Sequence, residues 1–147
     1  MSFVARIGDY FEWPSEYNHR TLPVDAKIKT LILDMTCRKV DRIQIHLTSC
    51  QGEIYSQEIG GVGIRGSMVV KHLQSDTDIR SVGYSGGNTR VLRLYDADGG
   101  VLVDSNPDYH GDFTNYEVPP HHKLIGFNGS LRYRRNLENI GIITCEQ

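Results

Sequence analysis

Several common features are missing from this 147-residue sequence, and each absence argues against a class of protein. No apolar run approaches the roughly 20 residues that a membrane span requires. Sixteen basic residues against eighteen acidic ones give a formal charge of −2 at pH 7, whereas nucleic-acid-binding domains are usually basic. The N-terminus carries charges and has no apolar leader segment, which favours a cytoplasmic location as an expectation. We therefore expect neither a membrane span nor a nucleic-acid partner.

Cysteines and catalytic motifs are equally sparse. Cys37, Cys50 and Cys145 form no C-x-x-C pair, so we expect reduced, partly buried thiols rather than a disulfide framework or a zinc site. No G-x-S-x-G elbow or other nucleophile motif is present. Asp96 and Asp98 are explained by an Asp-Gly turn rather than by calcium ligation. The sequence therefore predicts no enzymatic activity, no cofactor and no metal site.

The sequence does contain a series of short apolar runs of the β type. These runs alternate with clusters of Gly, Asn and Asp, and helical periodicity is nearly absent, which predicts an all-β protein. Residues 42–47 (RIQIHL) alternate apolar and polar side chains, as in a strand with one buried face. Residues 1–25, which include two prolines, are predicted to form an irregular arm or an edge strand before a domain at 26–147. The predicted core includes Ile43, Ile45, Leu94, Ile125, Phe127, Ile140 and Ile142.

A repeated β-unit indicates threefold pseudosymmetry. Residues 82–86 (VGYSG) match residues 125–129 (IGFNG), and residues 28–31 (IKTL) match residues 79–82 (IRSV). Each run leads through a hairpin to a second strand, which makes three related units in one domain. We expect three antiparallel sheets around one core, with a β-sandwich as the alternative.

Longer motifs in the same units add a resemblance to a known family. Residues 123–129 (KLIGFNG) and 137–141 (LENIG) are similar to an IVGFxG…LDAIG signature, and residues 40–45 (VDRIQI) are similar to a V-D-x-I-x-V strand. These motifs resemble those of the jacalin-related lectins, over roughly residues 28 to 144. The resemblance implies a β-prism I fold of three antiparallel Greek-key sheets and a non-catalytic, carbohydrate-binding function.

The resemblance also implies a sugar site in the first unit. Asp41 stands where a binding aspartate is expected, and the glycines at 60 and 61 resemble a partner loop that some mannose-specific members use. A carboxylate would accept hydrogen bonds from sugar hydroxyls, and the N–H groups of Lys39, Val40 and Gly61 would donate to the same mannose- or glucose-type ligand. In the alternative interpretation, Asp41 closes a hairpin and the glycines serve turn geometry. The predicted site residues are Arg38, Lys39, Val40, Asp41, Gly60 and Gly61.

The third unit departs from the family's usual sugar site. Arg134 stands where the pattern has Gly, and Glu138 stands where it has Asp. We therefore expect no neutral sugar there. Together with Arg132 and Arg135, these residues form a degenerate second site whose ligand should be anionic, and a solvated hairpin is the alternative.

Two hypotheses for function follow. In the first, the chain binds glycans weakly through a shallow site, and a homo-oligomer would add avidity. In the second, it is a β-prism scaffold that has lost sugar binding and contacts a protein partner. The sequon formed by Asn128, Gly129 and Ser130 is interpreted as a plain turn.

Overall fold

The computed structural model describes residues 4–8, 22–60, 66–74, 76–85, 89–132 and 136–147. All regular structure within these ranges is β-strand. The part of the chain that is described contains no helix long and apolar enough to cross a membrane. The strands are β1 Val4–Ile7, β2 Lys27–Thr36, β3 Lys39–Thr48, β4 Ile54–Gly60, β5 Ser67–His72, β6 Ser81–Tyr84, β7 Leu92–Tyr95, β8 Val101–Asp104, β9 Thr114–Glu117, β10 His122–Arg132 and β11 Asn136–Glu146.

The strands form three antiparallel sheets, each built around one predicted hairpin. The first sheet has the order β4-β3-β2-β5, the second β8-β7-β6-β9, and the third β1-β11-β10. In the first two sheets the fourth strand returns beside the first, which is Greek-key connectivity. The predicted threefold set of sheets is confirmed, and the β-sandwich alternative is wrong.

The core follows from alternation along these strands. In β3, for example, Ile43, Ile45 and Leu47 are buried, whereas the intervening side chains are partly exposed. All seven residues predicted for the core are at most 1% exposed. The prediction of the core is therefore confirmed.

A glutamine joins the first sheet to the third and explains the glycine in the IGFNG repeat. Oε1 of Gln57 in β4 accepts a hydrogen bond from the N–H of Phe127 in β10 at 3.0 Å. A Cβ at Gly126 would lie only 2.6 Å from the same Oε1 atom. A side chain at 126 would therefore displace the group that connects the two sheets.

Two features differ from what the sequence predicted. The sequon is not a turn, because Asn128 lies inside β10 and is fully buried. The cysteines are free, as expected, but only Cys145 is buried, and Cys37 and Cys50 are exposed. Both exposed thiols lie in turns, where a cysteine side chain has no core to enter.

Candidate functional site

The hairpin between β2 and β3 has a two-residue turn made of Cys37 and Arg38. Their φ angles are 50° and 67°, so both residues adopt the left-handed conformation. This turn geometry matches the twist of the strands but normally selects Asn or Gly. Each non-glycine residue in this region costs about 1–2 kcal/mol. Contacts elsewhere in the hairpin must therefore hold the turn in place.

Asp41 occupies a bulge just after this turn. Asp34 pairs with Arg42 and Met35 pairs with Val40, so Asp41 is the extra residue on β3. As a result Val40 and Asp41, although consecutive, are both buried, and only 4% of Asp41 is exposed.

The carboxylate of Asp41 is held within the hairpin. The Thr36 hydroxyl lies where it favours the ionised form of this carboxylate and so lowers its pKa. Burial raises the pKa of Asp41, and the negative charge of Asp34 raises it further, against the opposing effects of Thr36 and Lys39. The side chain is therefore fixed in place and is harder to ionise than a solvated aspartate.

Gly60 ends β4 and packs directly against the backbone at Asp41. Gly60 pairs with Arg42 and has a φ of 125°. A Cβ at this position would lie 2.3 Å from the carbonyl oxygen of Asp41 and 2.5 Å from Cα of Arg42. The structure thus brings Asp41 and Gly60 together, whereas Gly61 lies outside the described residues. The close approach of the β3 and β4 backbones is by itself enough to require glycine at position 60.

The expectation that the Val40 N–H points at a ligand is wrong. This N–H donates to the carbonyl oxygen of Thr89 at 2.9 Å. Thr89 is fully buried, and its Oγ1 donates in turn to the carbonyl oxygen of Glu138 at 3.5 Å. Thr89 of the second unit therefore connects the hairpins of the first and third units. Nothing in the sequence singles it out, because a threonine between two apolar runs resembles any loop residue.

Charged side chains surround the hairpin. On the outer face of the first sheet, Nε of Arg42 lies 2.8 Å from Oδ2 of Asp34. At the turn, Nη1 of exposed Arg38 lies 3.5 Å from Oδ2 of Asp108. The alternation of side chains along β2 and β3 could predict that Asp34 and Arg42 lie on the same polar face. That they lie opposite each other depends on the register of the two strands. The partner of Arg38 could not be read from the sequence, since it is 70 residues away.

The second candidate site lies mostly outside the described residues. Arg134 and Arg135 fall there, and Arg132 is described only as the end of β10. Glu138 is half-buried on β11, where its carbonyl contacts Thr89. The anionic-ligand site at Arg132, Arg134, Arg135 and Glu138 therefore stays a prediction.

The described residues give no sign of a metal centre. Among them, no group of three or more His, Cys, Asp or Glu side chains could hold an ion. Asp96, Asp98 and Asp104, which are close together in the sequence, have roles other than calcium ligation. Oδ1 of Asp96 accepts hydrogen bonds from the N–H groups of Asp98 and Gly100, and Asp104 lies 2.9 Å from Nε of Arg93.

Comparison with solved structures identifies the architecture. No family model matches the chain, and no curated protein matches it. The wild-type Malaysian banana lectin is 17% identical with a TM-score of 0.64, over 99% of this chain and 96% of that one. A mannose-binding jacalin-related lectin from Ananas comosus is 13% identical with a TM-score of 0.61, over 98% and 99% of the two chains. Artocarpin in complex with mannotriose is 18% identical with a TM-score of 0.61, over 80% and 83%.

These three structures share the overall fold described above. By its architecture the protein therefore belongs to the β-prism class of all-β folds. The chain has the jacalin-related lectin fold, as its sequence motifs implied.

Proposed function

We propose that this chain is a lectin that binds a neutral sugar of the mannose or glucose type between the β2–β3 hairpin and Gly60. The observation that carries the proposal is the packing of Gly60 against Asp41, with a Cβ-to-carbonyl separation that only glycine tolerates. This packing puts a carboxylate-bearing hairpin beside the glycine that ends β4, a position with no side chain to obstruct a sugar. The mannose-binding lectin from Ananas comosus and the artocarpin–mannotriose complex, which have the same fold, support this class of ligand.

Asp41 has the chemistry that sugar recognition requires. An ionised carboxylate offers about four acceptor positions for sugar hydroxyls. Because burial already restricts the side chain, binding costs it little conformational entropy. Only 4% of Asp41 is exposed, so a sugar would have to reach it through a narrow opening. We therefore expect weak binding that depends on the precise fit of one hexose.

One of the three backbone donors that the sequence suggested, the Val40 N–H, is already engaged, and those of Lys39 and Gly61 stay predictions. Since the Val40 N–H is bonded to Thr89, it cannot also serve the ligand. Arg38 is exposed and Lys39 is half-buried, so their side chains provide donors at the surface of the hairpin. The positive charge of Lys39 also favours the ionised form of Asp41, which is the form that accepts.

The test compares two conservative variants in calorimetric titrations with methyl α-mannoside. Asp41→Asn removes the charge and one acceptor oxygen with almost no change of shape. Hydrogen bonds to charged groups contribute about 1.5–3 kcal/mol, so affinity should fall by about 10- to 150-fold. The matched control, Glu138→Gln, makes the corresponding change in the third unit and should leave the affinity unchanged.

Two outcomes would contradict the proposal. If Glu138→Gln abolished binding and Asp41→Asn did not, the sugar site would belong to the third unit. If the unmodified chain bound neither mannosides nor glucosides, the scaffold hypothesis with a protein partner would replace it.

A further inference from the structure

A loop of the second unit, residues 105–113 between β8 and β9, is held by hydrogen bonds at both ends. At its start, the N–H of Ser105 donates to the carbonyl oxygen of Leu92 at 3.1 Å, and the N–H of Leu92 donates to Oγ of Ser105 at 2.8 Å. Toward its end, the hydroxyl of Tyr109 donates to the carbonyl oxygen of Asp112 at 3.0 Å. We call this segment the unit-two loop, and its position against the second sheet is well defined.

Arg93 of β7 holds the middle of the unit-two loop. Its Nη2 donates to the carbonyl oxygens of Asn106 at 3.2 Å and Tyr109 at 3.1 Å. Its Nε lies 2.9 Å from Oδ2 of Asp104, and its guanidinium lies over the ring of Phe113, 4.7 Å from the centroid. Only 17% of the Arg93 side chain is exposed, so water competes little with these contacts. The tip of the loop, which follows Asn106, is therefore carried on a rigid base.

The tip of the unit-two loop reaches the turn of the β2–β3 hairpin. A turn at Pro107 and Asp108 forms the tip. Oδ2 of Asp108 lies 3.5 Å from Nη1 of Arg38, and the two side chains are 78% and 73% exposed. An ion pair this exposed contributes little to stability. It nevertheless fixes where the loop ends, which is beside the hairpin that carries Asp41.

The spacing along the hairpin favours a ligand longer than one hexose. Arg38 and Asp41 are three residues apart, which corresponds to about 10 Å of extended strand. A hexose bound at Asp41 occupies only part of that distance. A second, linked hexose would extend from there toward Arg38 and Asp108.

Asp108 and Arg38 have complementary chemistry for a second hexose. An exposed carboxylate has about four acceptor positions, and the neighbouring guanidinium has donors in a fixed planar arrangement. Sugar hydroxyls both donate and accept, so two adjacent hydroxyls can use both side chains. Resting on the sugar site proposed at Asp41, we propose that Asp108 and Arg38 form a second subsite, which binds the next hexose of a mannose-type oligosaccharide. The chain would then prefer an α-linked disaccharide to a single mannose.

The test compares methyl α-mannoside with the α-linked mannobioses in calorimetric titrations of the full chain. The unmodified chain should bind at least one mannobiose more tightly than the monosaccharide. Asp108→Ala should weaken the binding of that mannobiose about three- to tenfold, because it removes hydrogen bonds made at an exposed site. Its effect on methyl α-mannoside should be much smaller, since a single hexose at Asp41 does not reach the loop tip.

Asp112→Ala is the matched control. It removes the same charge from the same loop at another exposed position, while the contact that Asp112 makes with Tyr109 is through its carbonyl oxygen. Both affinities should stay unchanged in this variant. Because both substitutions are at exposed positions, both variants should fold.

Three results would overturn the second subsite and leave the sugar site at Asp41 intact. The first is equal binding of the monosaccharide and every mannobiose by the unmodified chain. The second is an equal effect of the Asp108 and Asp112 substitutions on mannobiose binding. The third is an equal loss of both sugars in Asp108→Ala, since Asp108 would then act on the first hexose. If the unmodified chain bound neither sugar, the proposed function would fail, and the second subsite with it.

Discussion

Gly60 offers the sharpest test of how the candidate sugar site is built, because one methyl group would disturb it in two ways. Its φ of 125° is unfavourable for any residue with a Cβ, at a cost of about 1–3 kcal/mol. The new Cβ would also lie 2.3 Å from the Asp41 carbonyl oxygen and 2.5 Å from Cα of Arg42. These are backbone atoms, so relief requires β3 to move, and overpacking of this kind costs about 1–3 kcal/mol more. Gly60→Ala should therefore lower the free energy of unfolding by about 2–6 kcal/mol.

Gly99→Ala separates the two contributions. Gly99 also has a positive φ, 81°, but no atom lies within 4 Å of a Cβ built on it. Gly99→Ala should therefore lower the free energy of unfolding only through conformational strain, by about 1–2 kcal/mol. Urea titrations followed by circular dichroism would give the free energy of unfolding of both variants. The comparison is valid if the free energy of unfolding falls with urea concentration at the same slope in each. Equal losses for the two variants would show that Gly60 does not pack tightly against β3, and the main support for the sugar site would be gone.

Three further predictions address the core, the site and the thiols. Phe127→Ala, at a fully buried position, should cost about 3–5 kcal/mol in urea titrations, and a loss below 1 kcal/mol would contradict the burial. Because burial raises the pKa of Asp41, the stability that its protonated form contributes at acidic pH is lost as the pH rises through the raised value. Asp41→Asn should therefore gain stability relative to the unmodified chain between acidic and neutral pH, and a relative loss over this range would refute the reasoning. In native protein, an alkylating reagent should modify Cys37 and Cys50 but not Cys145, as read by peptide mass spectrometry. Cys37 should react faster, since a hydrogen-bonded carboxylate raises the pKa of Cys50, and faster modification of Cys50 would count against this.

The sheets and the core could be predicted from the sequence because the information that specifies them is local. Alternation in residues 42–47 places Ile43 and Ile45 on one face whatever the strand pairs with. The repeat of 82–86 at 125–129 then shows that one hairpin design recurs, and three such hairpins close a prism. Glycine is needed at position 126 of this repeat because the side chain of Gln57 packs against it. The sequence does not predict that contact.

The exposure of the site could not be predicted in the same way. Counting from the repeat placed Asp41 correctly after the hairpin turn, but simple alternation does not say that Val40 and Asp41 are both buried. That outcome depends on the bulge opposite Asp34 and Met35, which is a property of the register between two strands. Register depends on pairing along the whole length of β2 and β3, so one residue's surroundings at the hairpin are fixed by contacts far from it.

The repeat of related β-units therefore predicts where a site could lie, but it does not specify which donors and acceptors are there. The antiparallel strand pairs of the three hairpins repeat, but each pair has different neighbours, because the prism is made of one continuous chain. Thr89 makes this clear, since its carbonyl takes the N–H of Val40 while its hydroxyl is directed at the carbonyl of Glu138. A residue of the second unit thus uses one polar group at each of the other two hairpins. The sugar-binding capacity of this fold has to be argued hairpin by hairpin, from the hydrogen-bonding groups that each one offers. At the proposed site in the first hairpin these are the acceptor positions of Asp41 and the side chains of Lys39 and of Arg38, which also lies 3.5 Å from Asp108.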